Sequence, residues 1–318
     1  MIYPENRFTF SSQRRKSRRG LYIIIVLVIA AAAAVTVTLL LVNRDKGIQK
    51  IAVKEINPRE KIIELWEQQS YPEIIEVTRQ ILEKKPMDAY ALIFCGFSNF
   101  YTGVEKYSLE QKLPYIDEAI RCLRKADIVS ENLYNGEIKY ILGKAYYHKG
   151  KYYLDLSINY LEESIGEDYL AEDTYEYLGL AYSELEKYHE AIEYFTKAAE
   201  TNSKDLLYIT LAQTYFKVGD MKKAEEYLIR TINRTNEQQL EEKSRFLLGR
   251  IYLEKDEYIK AEDQYRKILE KNDNSADAHY YLGEIYDTMQ DKVKARAEWR
   301  MALKIDPSHY GARLKIYN

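Results

Sequence analysis

The side chains of this chain best suited to nucleophilic or metal chemistry are two cysteines and four histidines. Cys95 and Cys122 form no Cys-x-x-Cys pair, so neither a zinc ribbon nor a thioredoxin-type redox motif is written here. His148, His189, His279 and His309 lie far apart and lack the His-Glu-x-x-His spacing that puts two ligands on one helix face. Gly136 to Lys144 has some likeness to a phosphate loop. Its glycines are too widely spaced, however, and Ala145 stands where a magnesium-binding Ser or Thr is required. Acidic pairs such as Glu162–Glu163 and Glu225–Glu226 read as solvated helix faces. No nucleophile can be matched with a base, so the residues imply a non-enzymatic chain with no cofactor, metal or small-molecule substrate. The plain reading of the cysteines is two buried thiols, and a disulfide stays open if this part of the chain is exported.

The elements that carry these residues repeat. In "YLGLAYSELEKYHEAIEYFTKAAE", from Tyr177, Leu178, Gly179 and Tyr182 precede Ala191, Phe195 and Ala198. With a unit starting at Glu172, these are positions 7, 8, 11, 20, 24 and 27. From Asp205 the same frame gives Leu211, Ala212, Tyr215, Ala224, Leu228 and Thr231. From Glu242 it gives Leu248, Gly249, Tyr252, Ala261, Tyr265 and Ile268. From Ala276 it gives Leu282, Gly283, Tyr286, Ala295, Trp299, Ala302 and then Pro307. Upstream the frame is weaker. From Gly136 it finds Leu142, Gly143 and Tyr146, with an insertion near "KGKYY" before Ser157 and Leu161. From Ala89 it finds Cys95 and Gly96, and extra residues in "TGVEKYSLEQKLP" precede Ala119, Leu123 and Ala126. From Glu55 only the second half fits, through Tyr71, Ile74, Thr78, Ile81 and Pro86.

This pattern resembles the tetratricopeptide repeat, a helix–turn–helix unit of about 34 residues. The resemblance implies an all-α fold: a right-handed solenoid of about seven units starting near 55, 89, 136, 172, 205, 242 and 276, with a cap at 309–318. Small residues at positions 8 and 20 let paired helices approach, and large residues at 4, 11 and 24 fill the spaces between them. One unit cannot bury its apolar face alone, so neighbours stack. Tyr182, Ala191 and Phe195 are expected in the core. Nothing reads as strand, and 31 tyrosines against 8 phenylalanines suit partly exposed helix faces.

In such solenoids, positions 2, 5, 9 and 12 of the first helices face a concave groove that binds other proteins. Here those positions supply Tyr90, Ile93, Phe97, Phe100, Tyr140, Lys144, Tyr147, Leu180, Ile209, Phe216, Phe246, Arg250 and Tyr280. The row is more apolar than a merely solvated surface needs, which marks a binding face; tight coiling, or the insertion after Tyr101, is the competing explanation. Chaperone-binding members of the family hold a carboxylate with Lys and Asn at positions 5 and 9. Ile93/Phe97, Tyr140/Lys144 and Glu176/Leu180 do not match that set, and an apolar or helical partner segment fits better.

Ahead of the repeats, Leu21 to Val42 contains no charged residue. As a helix it spans about 33 Å, enough for a hydrocarbon core of ~30 Å. It reads as a transmembrane helix between a basic tail, 1–20, and a linker, 43–54. A cleaved signal peptide is the alternative, although the apolar stretch outruns a usual signal core. Arg14, Arg15, Lys16, Arg18 and Arg19 crowd one flank; over twenty residues the two flanks carry six basic residues each. The nearest charges favour a cytoplasmic N-terminus and an exported body. The chain's net charge of −3 conceals a basic tail and an acidic body, which argues against nucleic-acid binding. The expected protein is a single-pass protein of a bacterial inner membrane, with its repeat body in the periplasm. It would act as a scaffold in a cell-envelope assembly. The alternatives are a chaperone or adaptor for exported clients and a regulator of a membrane enzyme.

Overall fold

A computed structural model describes residues 57–131 and 133–317, and fifteen α-helices account for most of them. The basic tail 1–20, the apolar segment 21–42 and the linker 43–54 lie outside the described residues. Among the described residues there is no strand, and no helix is long and apolar enough to cross a membrane.

The helices form seven hairpins and a final single helix. The hairpins are α1 (Pro58–Glu67) with α2 (Tyr71–Lys84), α3 (Ala89–Val104) with α4 (Leu109–Val129), and α5 (Asn135–Lys149) with α6 (Leu154–Gly166). Next come α7 (Thr174–Glu184) with α8 (Tyr188–Thr201), α9 (Asp205–Lys217) with α10 (Met221–Arg234), and α11 (Gln238–Glu254) with α12 (Tyr258–Lys271). The last hairpin is α13 (Ala276–Thr288) with α14 (Lys292–Ile305), and α15 (Tyr310–Tyr317) closes the stack. Each second helix packs on the first helix of the next hairpin, and first helices also touch one another, as α3 touches α5 and α9 touches α11.

Local chemistry sets the boundaries. Asp88, Ser108, Asp220 and Asp291 cap their helices, each side chain accepting a backbone N–H in the first turn. The turn inside the hairpin uses a left-handed residue at position 15: Gln69, Gly150, Glu186, Gly219, Asp256 and Gln290. Around it, Lys187 N–H donates to the Tyr182 carbonyl at 2.9 Å, Asp220 to Tyr215 at 2.9 Å, Glu257 to Tyr252 at 2.8 Å and Asp291 to Tyr286 at 2.8 Å. These bonds satisfy carbonyls that a helix end would otherwise leave open. The extra residues after Tyr101 do not form a long loop. They are wound into a longer α3 and into α4, which spans 21 residues and tolerates Pro114 in its second turn.

Position 8 fixes how closely the paired helices pack. A Cβ built on Gly179 would lie 2.5 Å from Phe195 Cδ1; on Gly249, 2.7 Å from Tyr265 Cζ; on Gly283, 2.4 Å from Trp299. The large residue at position 24 therefore lies against the glycine face of its own unit. Leu178, Ala191, Phe195, Leu228, Tyr265 and Ala295 are buried, as the frame predicts. Tyr182 is only half-buried, because its ring stacks flat on Tyr194 at 5.4 Å and its hydroxyl reaches out to Glu162. The same stack recurs as Tyr146–Tyr160 and Tyr215–Tyr227. That repeated tyrosine pair is one use of the chain's many tyrosines: an apolar ring that stacks and a hydroxyl that can reach a polar partner.

Candidate functional site

The side chains expected to line the groove divide by burial. Tyr90, Tyr147, Leu180, Phe216, Phe246, Arg250 and Tyr280 are partly exposed. Ile93, Phe97, Phe100, Tyr140, Lys144 and Ile209 are buried, which corrects the expectation that they present an open surface.

Each correction has a local cause. Trp66 from α1 packs its ring 6.0 Å from that of Phe97, and Tyr134, held in the left-handed conformation just before α5, closes the other side at 6.5 Å. Ile93 and Ile209 are fully buried at position 5, where successive first helices approach closely. Lys144, Tyr140 and Asp173 form a closed polar node. Lys144 Nζ lies 2.8 Å from Asp173 Oδ2 and donates to the Tyr140 hydroxyl at 2.8 Å. The Tyr140 hydroxyl donates to Asp173 Oδ1 at 2.5 Å. The ammonium also sits over the rings of Phe100, Tyr140 and Tyr177. Lys144 thus donates to one residue of its own unit and one of the next, so this lysine ties the third unit to the fourth.

The open part of the face lies further along, on α7, α9 and α11. Leu180, Gln213, Phe216, Phe246, Arg250 and Leu253 are partly exposed there. The Arg250 guanidinium lies 5.2 Å from the centre of the Phe216 ring, so the two units share one cation–aromatic contact. Burial holds the Lys243 ammonium at the start of α11 down to about 8. Arg250 sets a positive charge beside the strip's apolar rings, and Glu176 on α7 is buried with its carboxyl raised by desolvation. Gln213 and Leu253, which the frame also turns toward the groove at positions 9 and 12 of their units, belong to this strip.

No reaction centre emerges from the histidines. His148 meets the Tyr177 hydroxyl at 3.1 Å, and burial, with Lys112 and Lys144 nearby, pushes its pKa down to about 3. His279 pairs with Glu298 and His309 with Asp277. A shallow depression lined by Glu237, Gln238, Gln239, Glu242 and Asn272 offers only carboxylates and amides.

Comparison with known proteins agrees with this geometry. One tetratricopeptide repeat model matches residues 172–205 and 276–309, and a second matches 207–235 and 242–273. These segments cover most of the four hairpins from α7 to α14, which are tetratricopeptide repeats. No curated protein sequence matches the chain. The fold is similar to the C-terminal part of a TPR repeat-containing protein from Cytophaga hutchinsonii, at 20% identity and TM-score 0.62, covering 80% of this chain and 97% of that one. It is also similar to YrrB, described as a TPR protein with an unusual peptide-binding site, at 23% identity and TM-score 0.50, covering 62% of this chain and 98% of that one. A third likeness is to the Naa15/Naa10 complex bound to HypK-THB, at 14% identity and TM-score 0.50, covering 82% of this chain and 38% of that one. At these identities the likeness establishes the fold.

Proposed function

We propose that this tetratricopeptide-repeat protein is a non-enzymatic, membrane-anchored scaffold that holds a segment of a partner protein along the face of α7, α9 and α11. The observation that carries the reading is the partly exposed strip of Leu180, Phe216, Phe246 and Arg250 on three successive first helices. Such a strip fits an extended or helical peptide with apolar side chains and a carboxylate: rings take the apolar groups and the guanidinium takes the charge. The peptide-binding description of YrrB, whose fold is similar, supports this mode. Residues 21–42 supply the anchor in this reading, with residues 1–20 in the cytoplasm and the repeats exported in a bacterial cell envelope.

The test is a triple substitution, Leu180→Ser, Phe216→Ser and Phe246→Ser, in the full-length chain. Helicity should stay near the wild-type level while partner capture from cross-linked membranes falls by more than tenfold, since aromatic anchors typically cost ≥ ~2 kcal/mol each when truncated. Wild-type capture by a folded triple variant would show that the strip is not the binding face. A reporter fused after Asn318 that is active only outside the cytoplasm should be active; activity of a cytoplasm-only reporter would reverse the topology.

A further inference from the structure

Cys95 and Cys122 are the chain's two cysteines, and the fold brings them together from opposite helices of one hairpin. Cys95 sits on α3 and Cys122 on α4, both buried, with their sulfurs 2.6 Å apart. We propose that these two residues close a disulfide that pins α3 to α4, and that the elongated second unit is a covalently locked hairpin in the mature protein. This proposal does not depend on the peptide-binding strip, and it rests on the exported placement of the repeats in the proposed function.

Two chemistries compete for a buried thiol pair. Glu118 lies close enough to both sulfurs to complete a trio of candidate metal ligands. Two thiolates on one tetrahedral zinc, with Zn–S bonds of ~2.3 Å, would sit about 3.8 Å apart. The observed separation is nearer the ~2.05 Å of a sulfur–sulfur bond. Glu118 is also engaged elsewhere: the Arg121 guanidinium grips both of its carboxylate oxygens, an ion pair that metal ligation would weaken.

The surroundings assign the order of events. Either thiol can donate across this contact; the hydrogen bond between the sulfurs lowers the pKa of Cys95 and raises that of Cys122, so Cys95 is the better nucleophile. With a small disulfide such as oxidised glutathione, the Cys95 thiolate attacks one sulfur and expels a glutathione thiolate. Cys122, as thiolate, then attacks Cys95 Sγ and releases the second glutathione. Two protein thiols become one disulfide, and two glutathione thiols carry away the protons. Both sulfurs are enclosed in the folded hairpin, so the bond forms as the hairpin closes or during its local opening, and afterwards it is shielded from reductants. It ties the first-helix row to the longest of the described helices, at the unit where the insertion lengthens both helices.

The experiment uses the full-length chain purified without reductant and equilibrated with oxidised glutathione. The chain is denatured in acid and alkylated with N-ethylmaleimide, then weighed and mapped. The expected result is no labelled cysteine, a mass lower than the reduced chain by two hydrogen atoms, and one cross-linked peptide holding Cys95 and Cys122. Prior reduction should give two labels, and reductant should lower the wild-type melting temperature but not that of Cys95→Ser/Cys122→Ser. In Cys122→Ser, the lone Cys95 should stop at the glutathione adduct, for want of a resolving thiol. Two labelled thiols in the unreduced wild type, stable glutathione adducts on both cysteines, or equimolar zinc with no cross-linked peptide would each overturn the proposal.

Discussion

Replacing Gly179 by Ala tests the packing rule that organises the stack. The new Cβ would lie 2.5 Å from Phe195 Cδ1 and 2.6 Å from Cε1. Carbon atoms in contact prefer about 3.5–4.0 Å, so the ring must retreat by roughly 1 Å. Phe195 is 1% exposed, so a retreat of its ring must displace packed neighbours. Overpacking of this kind costs on the order of 2 kcal/mol, while Ala gains about 1 kcal/mol over Gly as a helix former. The net expectation is a destabilisation of about 1 kcal/mol. The sign should reverse once the ring is gone. Phe195→Ala alone should cost about 3–5 kcal/mol through its cavity, and Gly179→Ala in that background should recover up to about 1 kcal/mol. Denaturant unfolding of the full-length chain and its three variants, followed by circular dichroism at 222 nm, measures the cycle. Additive effects, or a stabilising Gly179→Ala in the presence of Phe195, would refute the claim that this glycine exists to admit the ring.

Three further expectations follow from the same contacts. Ala191→Arg forces a charged chain into a site with no exposure and should cost more than about 3 kcal/mol, whereas Lys187→Ala at the exposed turn should change stability by less than about 0.5 kcal/mol; thermal unfolding compares them. Gln290 holds φ at 65°, so Gln290→Gly should raise stability by about 0.5–1 kcal/mol, and a loss on unfolding would contradict the strain argument. His148 stays neutral in the fold down to about 3 but takes up a proton near 6.5 when unfolded, so stability should fall as pH drops through that window, by up to about 2 kcal/mol between pH 7 and pH 5. His148→Gln should flatten that part of the pH–stability curve.

The four hairpins from α7 to α14 are legible in the sequence because helix crossings constrain residue size. Gly179, Gly249 and Gly283 recur at one offset since a ring fills the space a side chain would need. The left-handed turn at position 15 is hidden because most of its residues are not glycine: Glu186, Asp256 and Gln290 adopt it under the tertiary constraint of the hairpin. The insertion after Tyr101 is visible as extra letters, but its helical outcome depends on packing along α3 and α4, which spacing alone does not record. The groove was the least legible part. A frame assigns a side chain to a face, but burial on that face depends on neighbouring units. Phe97 is covered by Trp66 and Tyr134, and Lys144 is absorbed by Asp173, each from another unit or from the segment between units. Phe216 and Arg250, which contact each other across two units, are partly exposed.

The most direct test of the scaffold reading is site-specific photocrosslinking in living cells. A photoreactive side chain at Gln213, between Leu180 and Phe246 in the helix order, should yield one discrete covalent adduct with a partner protein. The same side chain at Glu226, exposed on the second helix of that unit, should yield none. Adducts from Glu226 with none from Gln213 would contradict the account, since the partner would then lie against the second helices.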